Sequence, residues 1–393
     1  MSQTFRRRTF LRGAIGVPAA LGIAKYAALG LAAEPKPAAA TGAETTASGL
    51  IVRQASPLNL EMPMSDLTGF ITSNDHFFVR NHFPVPTIDA KTWRLAIDGQ
   101  VGDALHFTID ELRRLPASSV AATLECSGNG RGFLDPKKTG VQWQQGAVGN
   151  AKWTGVSLAT VLEKAKIKDA AVDVVLVGSD SGETKEGQKT PFLRSLPLKK
   201  AMQSNVLLAY SMNDEELPRD HGFPLRAVVP GWFGVASVKW LARIFVTDRP
   251  FASNFQSLDY TIWQRDGGLA NLVPITSLVV KSTIARPASG ATLPAGKEVT
   301  VAGAAWTGED DITKVEISTD GGRTWNDATL EGRAIPQAWR LWKFSWKTPE
   351  TPGKFVLMSR ANDSAGHVQP MTRDDDRRSY LINHVIPVPV EVR

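Results

Sequence analysis

The stretch Leu124-Glu125-Cys126-Ser127-Gly128-Asn129-Gly130-Arg131-Gly132 (LECSGNGRG) holds the one cysteine in a chain of 393 residues. A lone cysteine closes no internal disulfide. Its readings are a small buried hydrophobe, a nucleophile served by a base elsewhere, or a ligand. The alternating glycines suggest a phosphate-cradling loop, but such a loop opens a helix, and here Phe133-Leu134-Asp135-Pro136 follows. No all-protein zinc or iron–sulfur site is built on one thiolate. A ligand role therefore fits a cofactor that brings sulfurs of its own.

Outward from this loop, eleven tryptophans, twenty-four prolines and many short apolar runs favour β structure with long loops. The formal charge is +6, with acids and bases interspersed and no basic run of the kind nucleic-acid binders carry. Mild basicity suits an anionic substrate or an acidic partner. At the N-terminus, Arg6-Arg7-Arg8-Thr9-Phe10-Leu11-Arg12 precedes an alanine- and glycine-rich apolar run. This pattern predicts a twin-arginine export signal over 1–33 and a disordered linker over 34–50. Pro18 and Lys25 interrupt the run, which is weakly apolar for a spanning helix, so no membrane span is expected in the mature protein. Export in the folded state, to the periplasm, suits a protein loaded with its cofactor beforehand. A lone thiol bound for an oxidising compartment then has some use other than a disulfide.

Periodicity divides the rest. Thr108-Ile109-Asp110-Glu111 reads as a capping box, and Ser157 as the cap of a helix burying Leu158, Val161, Leu162 and Ala165. Strand-like runs cover Val120 to Leu124, Val172 to Val177, Leu225 to Val229 and the alternating Val238 to Val246. These place an α+β domain over 51–272. After Pro274 the texture changes. Val299 to Trp306, Ile312 to Ser318, a Thr319-Asp320-Gly321-Gly322 turn leading into Arg323 to Ala328, Trp339 to Trp346 and Phe355 to Arg360 predict short strands. They indicate an immunoglobulin-like all-β sandwich over 273–393.

LECSGNGR resembles the cysteine loop of the sulfite oxidase family of mononuclear molybdenum enzymes. Other landmarks in family order are similar: Phe78 to Pro86 (FVRNHFPVP), Gly140-Val141-Gln142-Trp143, Trp153 to Val156, Leu217 to Arg226 (LPRDHGFPLR), Ser237 to Leu241, Phe255 to Tyr260, and Trp339 to Trp342. The resemblance covers roughly residues 75 to 345. It implies that the first domain binds molybdopterin and that Cys126 is the protein ligand of molybdenum, a single thiolate sufficing because the pterin supplies two dithiolene sulfurs. It further implies an anion pocket of Arg80, Arg131 and Arg340 with Trp143, and Tyr260 beside the reacting centre. Cofactor contacts would come from Val79, Arg80, Asn81, His82, Phe83, Cys126, Asp180, His221, Arg226, Ser237, Val238 and Lys239. Arginine suits a small dianion because its planar fork binds oxyanions with two parallel bonds. One departure stands out: Gly130 occupies a position where vertebrate members carry arginine.

The implied reaction is oxidation of sulfite to sulfate, with electrons leaving one at a time. No Cys-x-x-Cys-His is available, no haem domain is expected in this chain, and no flavin domain follows the sandwich, which argues against assimilatory nitrate reductase. A separate periplasmic c-type cytochrome is the expected acceptor, and the sandwich the expected dimerisation domain of a homodimer. The nearest alternative is oxidation of sulfane sulfur or thiosulfate on the same fold. A methionine sulfoxide reductase is disfavoured by residues 275–393, and a non-catalytic binding protein would carry no molybdenum.

Overall fold

The computed structural model describes residues 44–393. The expected signal, and the linker as far as residue 43, lie outside the described residues. The end of that linker is ordered rather than disordered. Thr45 bridges to Ile51, the Thr46 hydroxyl accepts from Leu50 N at 3.1 Å, and Leu50 is buried.

The first domain is built on two five-stranded sheets. In one, Leu241–Thr247 runs parallel to Leu95–Gly99 and antiparallel to Asp173–Glu183, which pairs with Lys189–Pro197. In the other, Val148–Ser157 lies between Ala117–Glu125 and Leu207–Met212. The sheets present Leu95, Ile97, Leu176, Ile244, Val156 and Leu208 to one core, which the helix Leu158–Lys164 closes with Leu158, Val161 and Leu162. Each of these aliphatic side chains contributes about 1.5–3 kcal/mol by leaving water.

Local signals hold in part. Thr108 and Glu111 form the expected capping box, with Glu111 N donating to Thr108 Oγ1 at 3.1 Å and Thr108 N to Glu111 Oε2 at 2.8 Å. Ser157 does not cap its helix; its hydroxyl is buried without a partner, because the residue is still committed to the strand Val148–Ser157. The alternating run from Val238 breaks at Trp240, whose φ of +48° is left-handed, and the strand starts at Leu241. That turn, which side chains other than glycine adopt only under constraint, separates cavity-facing Ser237 and Lys239 from the sheet.

The second domain is a sandwich of a four-stranded and a five-stranded sheet. Its core interleaves Val301, Ala305, Trp342 and Trp346 of the first with Val315, Ile317, Leu357 and Val390 of the second. The expected strands appear as Glu298–Trp306, Ile312–Ser318, Arg340–Lys347 and Gly353–Asp363. Of the expected run Arg323 to Ala328 only the end returns to Ile312–Ser318: Asn326–Asp327 pairs with it and Ala328 N donates to Val315 O at 2.8 Å. Its start is occupied otherwise: the Asp320 carboxylate accepts from Arg323 N and Thr324 N at 2.9 and 3.0 Å.

A buried polar cluster joins the domains. Glu125, the last residue of its strand, accepts from Lys281 Nζ at 2.8 Å, Asn129 Nδ2 at 3.0 Å and Trp306 Nε1 at 2.9 Å. The pair is almost wholly buried, with side-chain exposures of 4% for Lys281 and 2% for Glu125. Removing one partner strands the other charge. Lys281→Met is therefore expected to destabilise the protein by about 3–5 kcal/mol, read from denaturant unfolding, with Glu125→Met added to it recovering part of the loss.

Candidate active site

The cysteine loop is compact because its own backbone closes it. Asn129 N donates to Cys126 O at 2.8 Å, Arg131 N to Gly128 O at 3.0 Å, and Gly132 N to Trp143 O at 2.8 Å. Gly128 packs on the Arg131 guanidinium so closely that a Cβ would sit 2.2 Å from Nη2. Gly130 has φ +98°, and a Cβ there would meet Ile382 Cγ2 at 2.8 Å. The departure at Gly130 is thus built in: an arginine would need both a strained backbone and a displaced Ile382.

Cys126 lines a cleft open on one side to solvent. The stretch 77–83 forms one wall. Its hold is backbone pairing between Val79 and Leu60, together with Asn81 N donating to Asn59 Oδ1 at 2.9 Å and Asn81 Nδ2 to Leu58 O at 2.9 Å. Arg80, Asn81 and His82 face the cavity, whereas Val79 and Phe83 are buried in the core. Asp180, His221, Arg226, Ser237 and Lys239 line it too, Lys239 bonding to Asn81, with Val238 again turned into the core. Val79, Phe83 and Val238 therefore shape the wall instead of lining it.

Of the expected anion-binding arginines, only Arg80 lines the cavity. Arg131 is buried beneath it, donating from Nε to Ser379 O at 3.1 Å and from Nη1 to Val141 O at 2.9 Å, with its guanidinium 5.5 Å from the Tyr380 ring centre. It holds the cysteine loop to the C-terminal segment. Arg340 is elsewhere: it begins the sandwich strand Arg340–Lys347, pairs with Ala305 and donates to Gly332 O at 3.1 Å. The sheet register aims it there, so the expected ring of three guanidiniums does not form. Trp143 is wholly buried in the apolar cluster that contains Cys126, its indole nitrogen unpartnered.

Tyr260 follows the π-helical turn Asn254–Leu258 and lines the cavity. Arg80 Nη2 donates to its hydroxyl at 3.2 Å, and His82 Nε2 also meets that hydroxyl. His82 stacks on Phe192 with ring centres 4.3 Å apart. Burial, aided by Arg80, Lys239 and Arg194, pulls the imidazole well below its ordinary range, so His82 meets the phenol hydroxyl as a neutral ring. Burial also pushes the Tyr260 hydroxyl up, while Arg80 opposes that shift; the group remains a donor.

The other cations are desolvated as well. Burial lowers Arg226 to about 9 and pulls Lys239 well below its ordinary value. Arg226 donates only to backbone carbonyls, those of Ala227, His221 and Ser237. Lys239 Nζ donates to Asp220 O at 2.7 Å and to Asn81 Oδ1. Asp180 is raised by burial to about 6, and its Oδ1, like the Ser127 hydroxyl, is buried without a partner among the described residues. A cavity with a free thiol, two orphaned polar atoms and carboxylate-free cations fits an anionic, hydrogen-bonding ligand that coordinates soft sulfur. Molybdopterin has this chemistry, and these residues would hold it: Lys239, Arg226 and His221 the phosphate, Asp180 a pterin amine, and Cys126 the metal.

Lining residues that sequence reading missed are mostly apolar: Phe77, Phe78, Phe192, Val235 and Trp240. Tyr380, its ring centre 5.2 Å from that of Tyr260, is a further polar neighbour brought in from the C-terminal segment. None carries a spacing signal, since each is ordinary until the chain folds.

Burial also lowers His221 to about 3. Both His82 and His221 are less basic folded than unfolded, so the unfolded chain takes up protons first. Their stability contribution is complete above about pH 6.5 and declines as pH falls toward about 3. Urea unfolding of cofactor-free protein across that window is expected to show stability falling with pH, with a shallower slope in His221→Gln.

Comparison with known proteins agrees with this geometry. Residues 82–255 match the oxidoreductase molybdopterin binding domain, and residues 273–387 the Mo-co oxidoreductase dimerisation domain. The chain is 39% identical over 341 residues to mitochondrial sulfite oxidase of Mus musculus, covering 82% of this chain and 62% of the mouse protein. It is 34% identical over 351 residues to sulfite oxidase of Arabidopsis thaliana, covering 82% of this chain and 88% of the plant protein. Among solved structures, the sulfane dehydrogenase SoxCD of Paracoccus pantotrophus superimposes with a TM-score of 0.72 at 29% identity, over 88% of this chain and 85% of that one.

Proposed function

Because the chain belongs to the sulfite oxidase family of molybdopterin-dependent oxidoreductases, we propose that it oxidises sulfite to sulfate. In this reading a separate c-type cytochrome takes the electrons, and the enzyme works as a homodimer in the periplasm after twin-arginine export. The observation that carries it is the meeting of the Cys126 thiol, Arg80 and Tyr260 on one cleft. The export motif at Arg6 to Arg12 supports the address. Among the described residues no helix is long and apolar enough to cross a membrane.

When bound, molybdenum–molybdopterin supplies the two-electron redox chemistry for which the protein has no group of its own. The protein's part is positioning and charge. Arg80 offers a charge-assisted bond to an oxyanion, and the Tyr260 hydroxyl beside it is held by His82. Phe192 stacks on His82, with Phe255 at 5.0 Å from Phe192, and lends that side an apolar wall. In such a place donors act at low dielectric and need no rearrangement as charge develops.

A charge-assisted bond contributes about 1.5–3 kcal/mol. Arg80→Gln is therefore expected to raise the sulfite KM by about ten- to a hundredfold, whereas Arg340→Gln leaves it unchanged; steady-state kinetics with cytochrome c decides. The structural likeness to SoxCD favours a second reading, oxidation of sulfane sulfur. Supplying purified, molybdenum-loaded protein with sulfite or thiosulfate separates them: reduction of cytochrome c by thiosulfate but not sulfite would overturn the first.

A further inference from the structure

Arg194, in the strand Lys189–Pro197, is wholly buried, with 0% of its surface exposed. Among the described residues its guanidinium meets no carboxylate. Nη1 donates to Phe255 O, Nη2 donates to Ile275 O at 2.8 Å, and Nε has no partner. An arginine is rarely buried without a paired anion, so this one needs a reason.

Its two acceptors stand at the two ends of one excursion of the chain. Phe255 lies in the π-helical turn Asn254–Leu258 that opens it, Ile275 follows the hairpin Thr261–Asp266 with Leu269–Pro274 that closes it, and Tyr260 lies between. The hairpin is a sheet of its own, exposed from Gln264 to Asn271. Its outer support is an ion pair between Arg265 and Asp376 at 2.7 Å. The neck is tied by Ile275 N to Tyr260 O at 2.9 Å, Ser195 N to Gln256 Oε1 at 3.3 Å, and the fork of Arg194. Phe255 in turn lies 5.2 Å from the ring centre of His82, which holds the Tyr260 hydroxyl. Only a side chain with divergent, rigidly linked donors reaches both carbonyls together. Burial lowers the guanidinium to about 10, which leaves it charged at neutral pH.

Arg378 also grips this segment, its Nη1 donating to Leu258 O at 2.9 Å and Thr261 O at 3.3 Å. We propose that Arg194 is a positioning residue for Tyr260: by clasping both ends of the 255–275 excursion from beneath, it keeps the phenol at the anion site and so sets affinity for the oxyanion substrate. The second half rests on the reading of sulfite as substrate.

Two variants test this, Arg194→Met and Arg194→Lys, each measured in two ways. Tryptic cleavage after Arg265, followed by mass spectrometry on cofactor-free protein, reports the clasp. Sulfite KM and kcat per bound molybdenum, on loaded enzyme with cytochrome c, report the site. Loss of two buried bonds to a charged donor is expected to speed cleavage in Arg194→Met about tenfold or more and to raise KM about tenfold, with kcat changed by less than about threefold. Arg194→Lys keeps the charge and one bond, and is expected to fall between wild type and Arg194→Met in both measures. Faster cleavage with unchanged KM would make Arg194 merely structural and overturn the proposal, as would unchanged cleavage. If Arg194→Met fails to fold, Arg194→Lys decides by the same criteria. If wild-type enzyme oxidises no sulfite, the substrate reading and the affinity half fall together, while the cleavage ratio still decides the clasp.

Discussion

The carboxylate of Glu125 is the point on which this structure turns. It stands one residue before Cys126, the ligand we propose for molybdenum, and accepts from Lys281 and Trp306, both of the sandwich, and from Asn129 of the cysteine loop. Asn129 in turn accepts from Ala147 N at 3.1 Å and donates to Gln145 O at 3.1 Å. A buried ion pair of this kind adds little net stability, because desolvation offsets the attraction. What it adds is position. A carboxylate that must satisfy both oxygens in a dry interior admits few arrangements, and those arrangements aim Cys126 into the cavity. The sandwich thereby helps to aim the cysteine loop, besides matching the family's dimerisation domain.

A second buried carboxylate works in the same way. Glu61 accepts from Gly146 N at 2.7 Å and Gln144 N at 3.1 Å, and pairs with Arg53. It fixes the loop over which the cysteine strand folds, and a Cβ at Gly146 would lie 1.7 Å from Met62 O. The cavity between these anchors is unlike them: its cations have carbonyls and amides for partners and its one acid, Asp180, keeps an unpartnered oxygen. Anchors are paired and the cavity is left unpaired, which is how a protein holds a charged cofactor without first filling its place.

Burying Arg194 under the tyrosine excursion extends the same logic to substrate recognition. The fold replaces a distant guanidinium at the pocket with a buried one that governs where a hydroxyl stands. Arg131 has a similar place, clasping the cysteine loop to the segment that delivers Tyr380. Arg80 is left as the direct cationic contact at that end of the cavity, with Tyr260 as its companion.

Much of this was legible from the amino-acid sequence alone: the singular thiol, the glycines that its loop needs, the capping box at Thr108, the alternating strands of the sandwich, and through resemblance the family and its cofactor. These are consequences of local stereochemistry or of residues close together in the chain. The tertiary structure alone decided that Arg340 faces away, that Val79, Phe83 and Val238 are wall and not lining, that Ser157 caps nothing, and that Arg194, Tyr380 and Lys281 belong to the site. In each case the outcome depends on strand register, on packing between segments far apart in the chain, or on a single left-handed turn such as Trp240. A side chain's direction follows from its own backbone, but what it meets is set by which distant surface arrives opposite, and that is a property of the assembled core.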